Sequence, residues 1–321
     1  MPLLLYDAAE LITSARNRAM VPDSSSSGTL DSDILRYLNE ELRTRFLPRI
    51  ISVREEYLVF TERVSLVANT SAYRISTRAS GNRVRDVIYR NTGGTRRSLA
   101  RISRELVGRY GQTAASTPQG FYLEWNHLRL VPDINASPDG SLELSYMFRP
   151  SELVLAAEGA AITSIAGGVL TIGTPPTAFT TSQTYDIHSP RSGAEIRAWD
   201  LTASAVGGTT ITFTSTDVDG STYGRYAAQV GDFVCLAQEC VRPFLPVEFH
   251  PILAQGGAVR LMRAQGDHES ASVANEELEQ LLKEALDLID DRVEGEAEII
   301  TNPYSFLHHG NLWGTGRADT F

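Results

Sequence analysis

Lysine is almost absent from this chain: of 29 basic residues, only Lys283 is not an arginine. Its positive charge therefore sits on guanidinium groups, whose planar fork pairs with carboxylates through two parallel hydrogen bonds. Cysteine is nearly as scarce. Cys235 and Cys240 stand alone, whereas a structural zinc site wants four ligands, usually with cysteines at tighter spacing. Nothing points to an oxidising compartment, so the pair reads as two small apolar residues in or beside a strand. No stretch approaches the roughly 18–20 apolar residues of a membrane-spanning helix. The start, MPLLLYDAAELI, lacks a basic segment and is interrupted by Asp7 and Glu10, so a signal peptide is not expected. The chain reads as made and used in a cytosol, or in a particle assembled there.

Motifs that carry chemistry are missing too. There is no GxSxG elbow and no Cys/His arrangement with a recognisable context. The Gly-Gly pairs sit in hairpins or a helix, not in a phosphate-cradling loop. Of the six histidines, His308 and His309 are adjacent but have no HxH or HxxxH spacing to support a metal. DVDGST at Asp217–Thr222 has part of a calcium loop but lacks the later glutamate, and reads as a turn. Paired acids of the glycosidase type need no fixed spacing and are left open. With no positive sign of catalysis, we expect neither enzyme activity nor a cofactor.

What is present is an order of elements. Ala8, Leu11, Ile12 and Ala15 make the stripe of a first helix from about Asp7 to Met20, which Pro22 and a serine-rich loop end. A second helix opens with Asp31 or Ser32 as N-cap and carries Ile34, Leu35, Leu38, Leu42, Phe46, Ile50 and Ile51; Pro48 should kink or divide it. From Tyr57 to Pro150 the apolar period falls to two, with a turn at Pro138–Gly140. Two similar passages, ITSIAGGVLTI and LTASAVGGTTITF, place Gly-Gly where a primed hairpin turn needs positive φ. They lie in a unit of short antiparallel strands from about Leu153 to Cys240, read as a small sandwich or barrel.

Helical character returns at Val247. Ile252, Leu253, Val259 and Met262 face inward, and Gly256–Gly257 marks a close approach or a bend. A last helix, about Ser270 to Glu294, carries Leu278, Leu282, Leu286, Ile289 and Val293, with Leu281 and Leu288 widening the stripe and Gly295 ending it. The expected fold class is α+β: a helical bundle from both chain ends (1–60 and 242–296), an antiparallel β region (61–150), an inserted small β domain (151–241) and an extended C-terminal arm (297–321). On that arm Tyr304, Phe306, Leu307, Leu312, Trp313 and Phe321 are large apolar groups on a segment too irregular to bury them within itself. Aromatics are the usual anchors of interfaces, so a partner groove is expected to cover them.

Charge is segregated within the net −10. Between Arg43 and Arg109 stand fifteen arginines and five carboxylates; between Asp267 and Glu298, twelve carboxylates and two basic residues. An arginine-rich segment can bind nucleic acid, but here the arginines alternate with strand residues and lack base-stacking aromatics. Pairing with carboxylates of the same subunit or a neighbour is the favoured reading. Candidates for inter-subunit electrostatics are Arg96, Arg97, Arg101 and Arg104 against Asp287, Asp290 and Asp291.

The segments DSDILRYLNEELRTRFLPRIISVREEYLV, GFYLEWNHLRLVP, LELSYMFRPSELV and VGDFVCLAQECVRPFLPVEFHPILAQGGAVRLMRAQGD resemble those of tailed-bacteriophage head-to-tail adaptor (connector) proteins. The resemblance covers about residues 7 to 300 and rests on overall pattern. It implies a structural subunit of the virion neck, assembled in the host cytoplasm. Copies would form a ring, commonly of twelve, below the portal protein and dock tail or nozzle proteins. DNA would pass through the ring without specific binding, and no membrane would be involved. It also implies that the C-terminal arm grips the portal. The β unit is larger than the simplest members carry. A different reading is a virion receptor- or carbohydrate-binding protein, in which exposed Trp199 and Tyr223 form a sugar platform.

Overall fold

A capping box starts the first helix. The Asp7 carboxylate accepts from the Glu10 backbone N–H at 2.8 Å, and the Glu10 carboxylate accepts from that of Asp7 at 2.9 Å. This helix is α1 (Ala8–Arg18) in a computed structural model that describes residues 6–22, 29–109, 113–190, 195–221 and 225–289. It buries Ala8, Leu11, Ile12 and Ala15 and gives way to Met20 at φ +54°. Next is α2 (Asp31–Glu41), whose N-cap is Leu30 rather than the expected Asp31 or Ser32. Asp31 is committed elsewhere, holding the buried Arg16 guanidinium at 2.7 Å. A π-helical turn, Leu42–Phe46, separates α2 from α3 (Leu47–Val53). Pro48 lies in the first turn of α3, where its missing N–H costs little, and the wide turn before it absorbs the break.

Eight strands follow: β1 (Val59–Ser65), β2 (Ala72–Arg74), β3 (Ala79–Arg90), β4 (Arg96–Ser98), β5 (Ala100–Arg101), β6 (Gly120–Glu124), β7 (His127–Val131) and β8 (Ser141–Phe148). They form two four-stranded sheets, ordered β1-β8-β3-β4 and β2-β7-β6-β5. The first is antiparallel throughout; in the second only β5–β6 is parallel. Period-two alternation on β8 sends Leu142, Leu144, Tyr146 and Phe148 into the main core. The turn before β8 needs a glycine: Gly140 sits at φ +84°, and a Cβ there would lie 2.0 Å from the Arg90 carbonyl oxygen.

Beyond β9 (Glu152–Leu153) come β10 (Ala160–Ala166), β11 (Val169–Ile172), β12 (Thr184–His188), β13 (Ile196–Thr202), β14 (Ala205–Gly207), β15 (Thr210–Thr212), the short α4 (Ser215–Val218), β16 (Phe233–Leu236) and β17 (Glu239–Cys240). Seven of these strands form one antiparallel sheet, β13-β12-β16-β10-β11-β15-β14. Both Gly-Gly turns occur as expected, with Gly167 at φ +60° and Gly208 at +55°. Ile162, Leu170, Tyr185, Ile187, Leu201, Ile211 and Val234 give this sheet a core of its own. Chain entry and exit are pinned side by side: β9 and β17 pair in parallel, and the buried Asn39 amide bonds both the N–H and the C=O of Leu153, at 2.8 and 2.9 Å.

The chain returns to helix in α5 (His250–Ala264) and α6 (His268–Ile289), joined through Gly266 at φ +87°. Helix α5 packs against α1, α2 and α6. The Gly256–Gly257 pair makes room for neighbouring side chains: a Cβ on Gly257 would lie 2.7 Å from Leu38 Cδ2, and one on Gly256 3.3 Å from the Glu41 side chain. Polar contacts between early and late helical segments run from Arg49 to Glu279 at 2.6 Å, Arg45 to Asn275 at 2.8 Å and Arg260 to Glu41 at 2.5 Å. On α6 the buried stripe is Ala271, Ala274, Leu278, Leu282 and Ala285. Leu281 borders it, but Leu288 is 71% exposed. Ten residues past Leu278, Leu288 lies about 80° off the stripe at roughly 100° per residue. Val293, Glu294 and Gly295 lie outside the described residues. The molecule is thus α+β, with several antiparallel sheets and a few helices.

Replacing Gly257 with Val drives two γ-carbons into Leu38 and should lower Tm by several degrees. The Gly257→Val, Leu38→Ala double variant should lose less than the sum of the single losses in thermal denaturation.

Candidate interaction surfaces

Most of the arginine-rich segment is occupied within its own chain. On the polar face of the first sheet, Arg63, Arg96 and Arg90 converge on Oε1 of Glu143 at 2.9, 3.3 and 3.7 Å. Arg97 lies over the Tyr89 ring and donates to the Pro118 carbonyl. Arg104 pairs with Glu124 at 3.1 Å. Arg101 is exposed on β5, with no carboxylate partner among the described residues. Strands β4 and β5 are sheet edges, so Arg96, Arg97 and Arg101 form a charged border on two sheets, which also discourages strand addition. The acidic candidates are less complete. Asp287 is exposed on α6 beside Glu284, with Glu276, Glu277 and Glu269 further back along the helix, whereas Asp290 and Asp291 lie outside the described residues. The arm residues Tyr304, Phe306, Leu307, Leu312, Trp313 and Phe321 lie outside them too.

The deepest charges sit where the larger core meets the seven-stranded sheet. Arg78, fully buried just before β3, reaches Asp186 on β12 at 2.6 Å and Asp200 on β13 at 2.9 Å. Its Nη1 has no hydrogen-bond partner, and the guanidinium carbon lies 5.6 Å from the Phe148 ring centroid. Burial pushes the Asp186 carboxyl up to about 6, against the lowering effects of Arg78 and of the backbone N–H groups of Asp200 and Gln238. The sequence reading did not single out this cluster. Its members stand 108 and 122 positions apart, and no local pattern links them.

Of two tryptophans, the one expected at the surface is buried and one given no role is exposed. Trp199 is only 4% exposed, with ring contacts to Phe60 at 5.5 Å and Phe148 at 6.2 Å, so it cannot form the expected sugar platform. A break in the β13 alternation, where the register with β12 shifts and Asp200 takes φ +53°, turns it into the main core. Tyr223 lies outside the described residues. Trp125 is 92% exposed at the tip of the β6–β7 hairpin, in a two-residue turn with Asn126. Its φ of +54° is a left-handed conformation that costs a non-glycine residue roughly 1–2 kcal/mol. The signal available in the sequence was a Trp-Asn dipeptide between two alternating runs, where Asn-Gly or Gly-Gly is usual.

The two thiols are shut away from solvent. Cys235 on β16 and Cys240 on β17 are free and buried, and burial raises both thiols, that of Cys240 to about 12. Among the described residues no group of three or more His, Cys, Asp or Glu side chains is placed to hold a metal ion, and no helix is long and apolar enough to cross a membrane. The Asp217–Gly220 segment forms α4 and a turn, with Asp217 paired to Arg225. Burial lowers His250 from 6.5 to about 4, although its Nε2–H donates to the Leu245 carbonyl at 3.2 Å and Glu248 favours the charged form. No protein family and no curated protein matches this chain.

Without the Arg78 guanidinium the buried Asp186 loses its charge partner and keeps only the backbone N–H groups of Asp200 and Gln238, so it must ionise at greater cost or take up a proton. Arg78→Met should therefore cost about 3–5 kcal/mol in urea unfolding, and Asp200→Asn, at a half-exposed position, distinctly less. Acid should act through His250. The unfolded chain takes up that proton near pH 6.5 and the folded chain only near 4, so His250 removes stability as pH falls through this window, by about 3 kcal/mol in full. Asp186, with its folded value raised from 3.8 to about 6, acts in the opposite sense. The difference between wild type and His250→Gln isolates the histidine: the variant should gain relative stability steadily from pH 6.5 down to 4.

Proposed function

We propose that this chain is a structural subunit of a tailed-phage neck, a head-to-tail adaptor that assembles as a ring below the portal. The ring, commonly of twelve copies, extends the DNA channel and offers its far side to tail or nozzle proteins. The subunit performs no chemistry and needs no cofactor. In this reading the helices from the two chain ends make a helical bundle, the sheets lie between them in sequence, and the unit from Leu153 to Cys240 is a small sandwich or barrel. The arm carrying Tyr304, Phe306, Leu307, Leu312, Trp313 and Phe321 grips the portal.

The observation that carries the proposal is that one subunit presents exposed charge of both signs on separate elements. Arg96, Arg97 and Arg101 border the sheets and Arg104 is exposed just after β5, while Glu276, Glu277, Glu284 and Asp287 line α6. Unlike surfaces of opposite charge suit a head-to-tail contact, which closes into a ring when the rotation permits. Asp290 and Asp291 extend the acidic run in sequence.

Electron microscopy of the protein mixed with purified portal tests this. Rings stacked on the portal are expected, lost when residues 302–321 are deleted. A chain that remains monomeric beside the portal, or a truncated chain that binds as well as the intact one, rejects the proposal.

A further inference from the structure

The β6–β7 hairpin projects an indole into solvent from a backbone conformation that tryptophan rarely adopts. Among the described residues nothing covers that side chain. An exposed aromatic held against its backbone preference points to a function outside the subunit. The charges around it have a definite sign: exposed Arg104 lies 3.1 Å and Arg129 2.5 Å from the Glu124 carboxylate. Two guanidinium groups share one carboxylate, leaving the tip apolar at its point and positive at its flanks.

A matching hollow lies on the helices. The end of α5 and the start of α6 flank an open surface hollow of about 600 Å³. Met262, Val273 and Ala274 supply its apolar surface, and Val273 is largely exposed. Glu269 and Glu277 stand at its rim. Arg18 also lines it, with its guanidinium donating to the Gln255 side-chain oxygen at 2.7 Å, so the pocket keeps a net negative charge.

We propose that the Trp125 tip of one copy seats in the α5–α6 pocket of a second copy, with Arg104 and Arg129 facing Glu269 and Glu277. This rests on the ring reading above and names the contact that would build it. Tip and pocket share no residue, so the contact is heterologous and can propagate from copy to copy. Copies of a chain with net charge −10 repel one another on average, and a local positive knob on an acidic socket provides register as well as attraction.

Sedimentation of the full-length protein over a wide concentration range, at low and high salt, tests the contact, with Tm measured on every variant. Trp125→Ala should weaken self-association at least tenfold, and Trp125→Gly should do the same with Tm unchanged or raised, because glycine tolerates positive φ. Reversing the tip (Arg104→Glu with Arg129→Glu) or the pocket (Glu269→Arg with Glu277→Arg) should each abolish association. Mixing the two reversed proteins should restore it. Wild type that stays monomeric throughout, Trp125 variants that associate normally, or a mixture that stays dissociated would each overturn the proposal. Portal binding is scored separately: Trp125→Ala rings that still form on the portal remove the knob and leave the adaptor reading standing. Association through the knob without portal binding does the reverse.

Discussion

One guanidinium joins the two cores of this molecule. Arg78 leaves the turn before β3 and meets carboxylates on β12 and β13, so the central sheet and the seven-stranded sheet share a single buried cation. Such a cluster is favourable only if its geometry offsets the cost of desolvating each charge. Here the geometry is supported from several sides: Phe148 lies beside the guanidinium, and the backbone N–H groups of Asp200 and Gln238 donate to Asp186. A lysine could not serve two carboxylates in this way, because an ammonium is a point charge without a planar fork. The near-absence of lysine fits a fold in which guanidinium groups repeatedly bridge elements, as with Arg16 and Asp31, Arg260 and Glu41, and the three arginines on Glu143.

Local physics was readable before any coordinates. The stripe of Ala8, Leu11, Ile12 and Ala15 announced the first helix, Gly167 and Gly208 their turns, and Pro48 a break, because each acts within its own stretch of backbone. The Gly256–Gly257 pair signalled close packing but not its cause, since Leu38 and Glu41 come from a helix more than two hundred positions earlier. The errors have the same origin. Asp31 was read as a cap because its competing partner, Arg16, sits across a loop. Trp199 was read as exposed because alternation along a strand does not say which face of a sheet meets a second core. Leu288 was placed on a border of the α6 stripe that faces solvent there, while the opposite border, Leu286, is the one the core covers.

The candidate surfaces were less legible than the fold. Charge segregation along the chain was plain, but most of the arginines it singled out are spent on internal pairs, and Glu143 alone engages three of them. Trp125 drew no notice because exposure is a tertiary property: a tryptophan in an alternating run reads as one more buried aromatic until the turn places it at a tip.

The parallel clasp of β9 with β17, locked by Asn39 onto Leu153, has an architectural consequence. The polypeptide leaves the scaffold and comes back at nearly one point, like a cord passed through a single grommet. A lobe attached in this manner can grow, shrink or be exchanged over generations while the helices around Leu38 and Gly257 keep their spacing, with Arg78 and the seat of Trp199 against Phe60 and Phe148 as ties that any replacement lobe must answer.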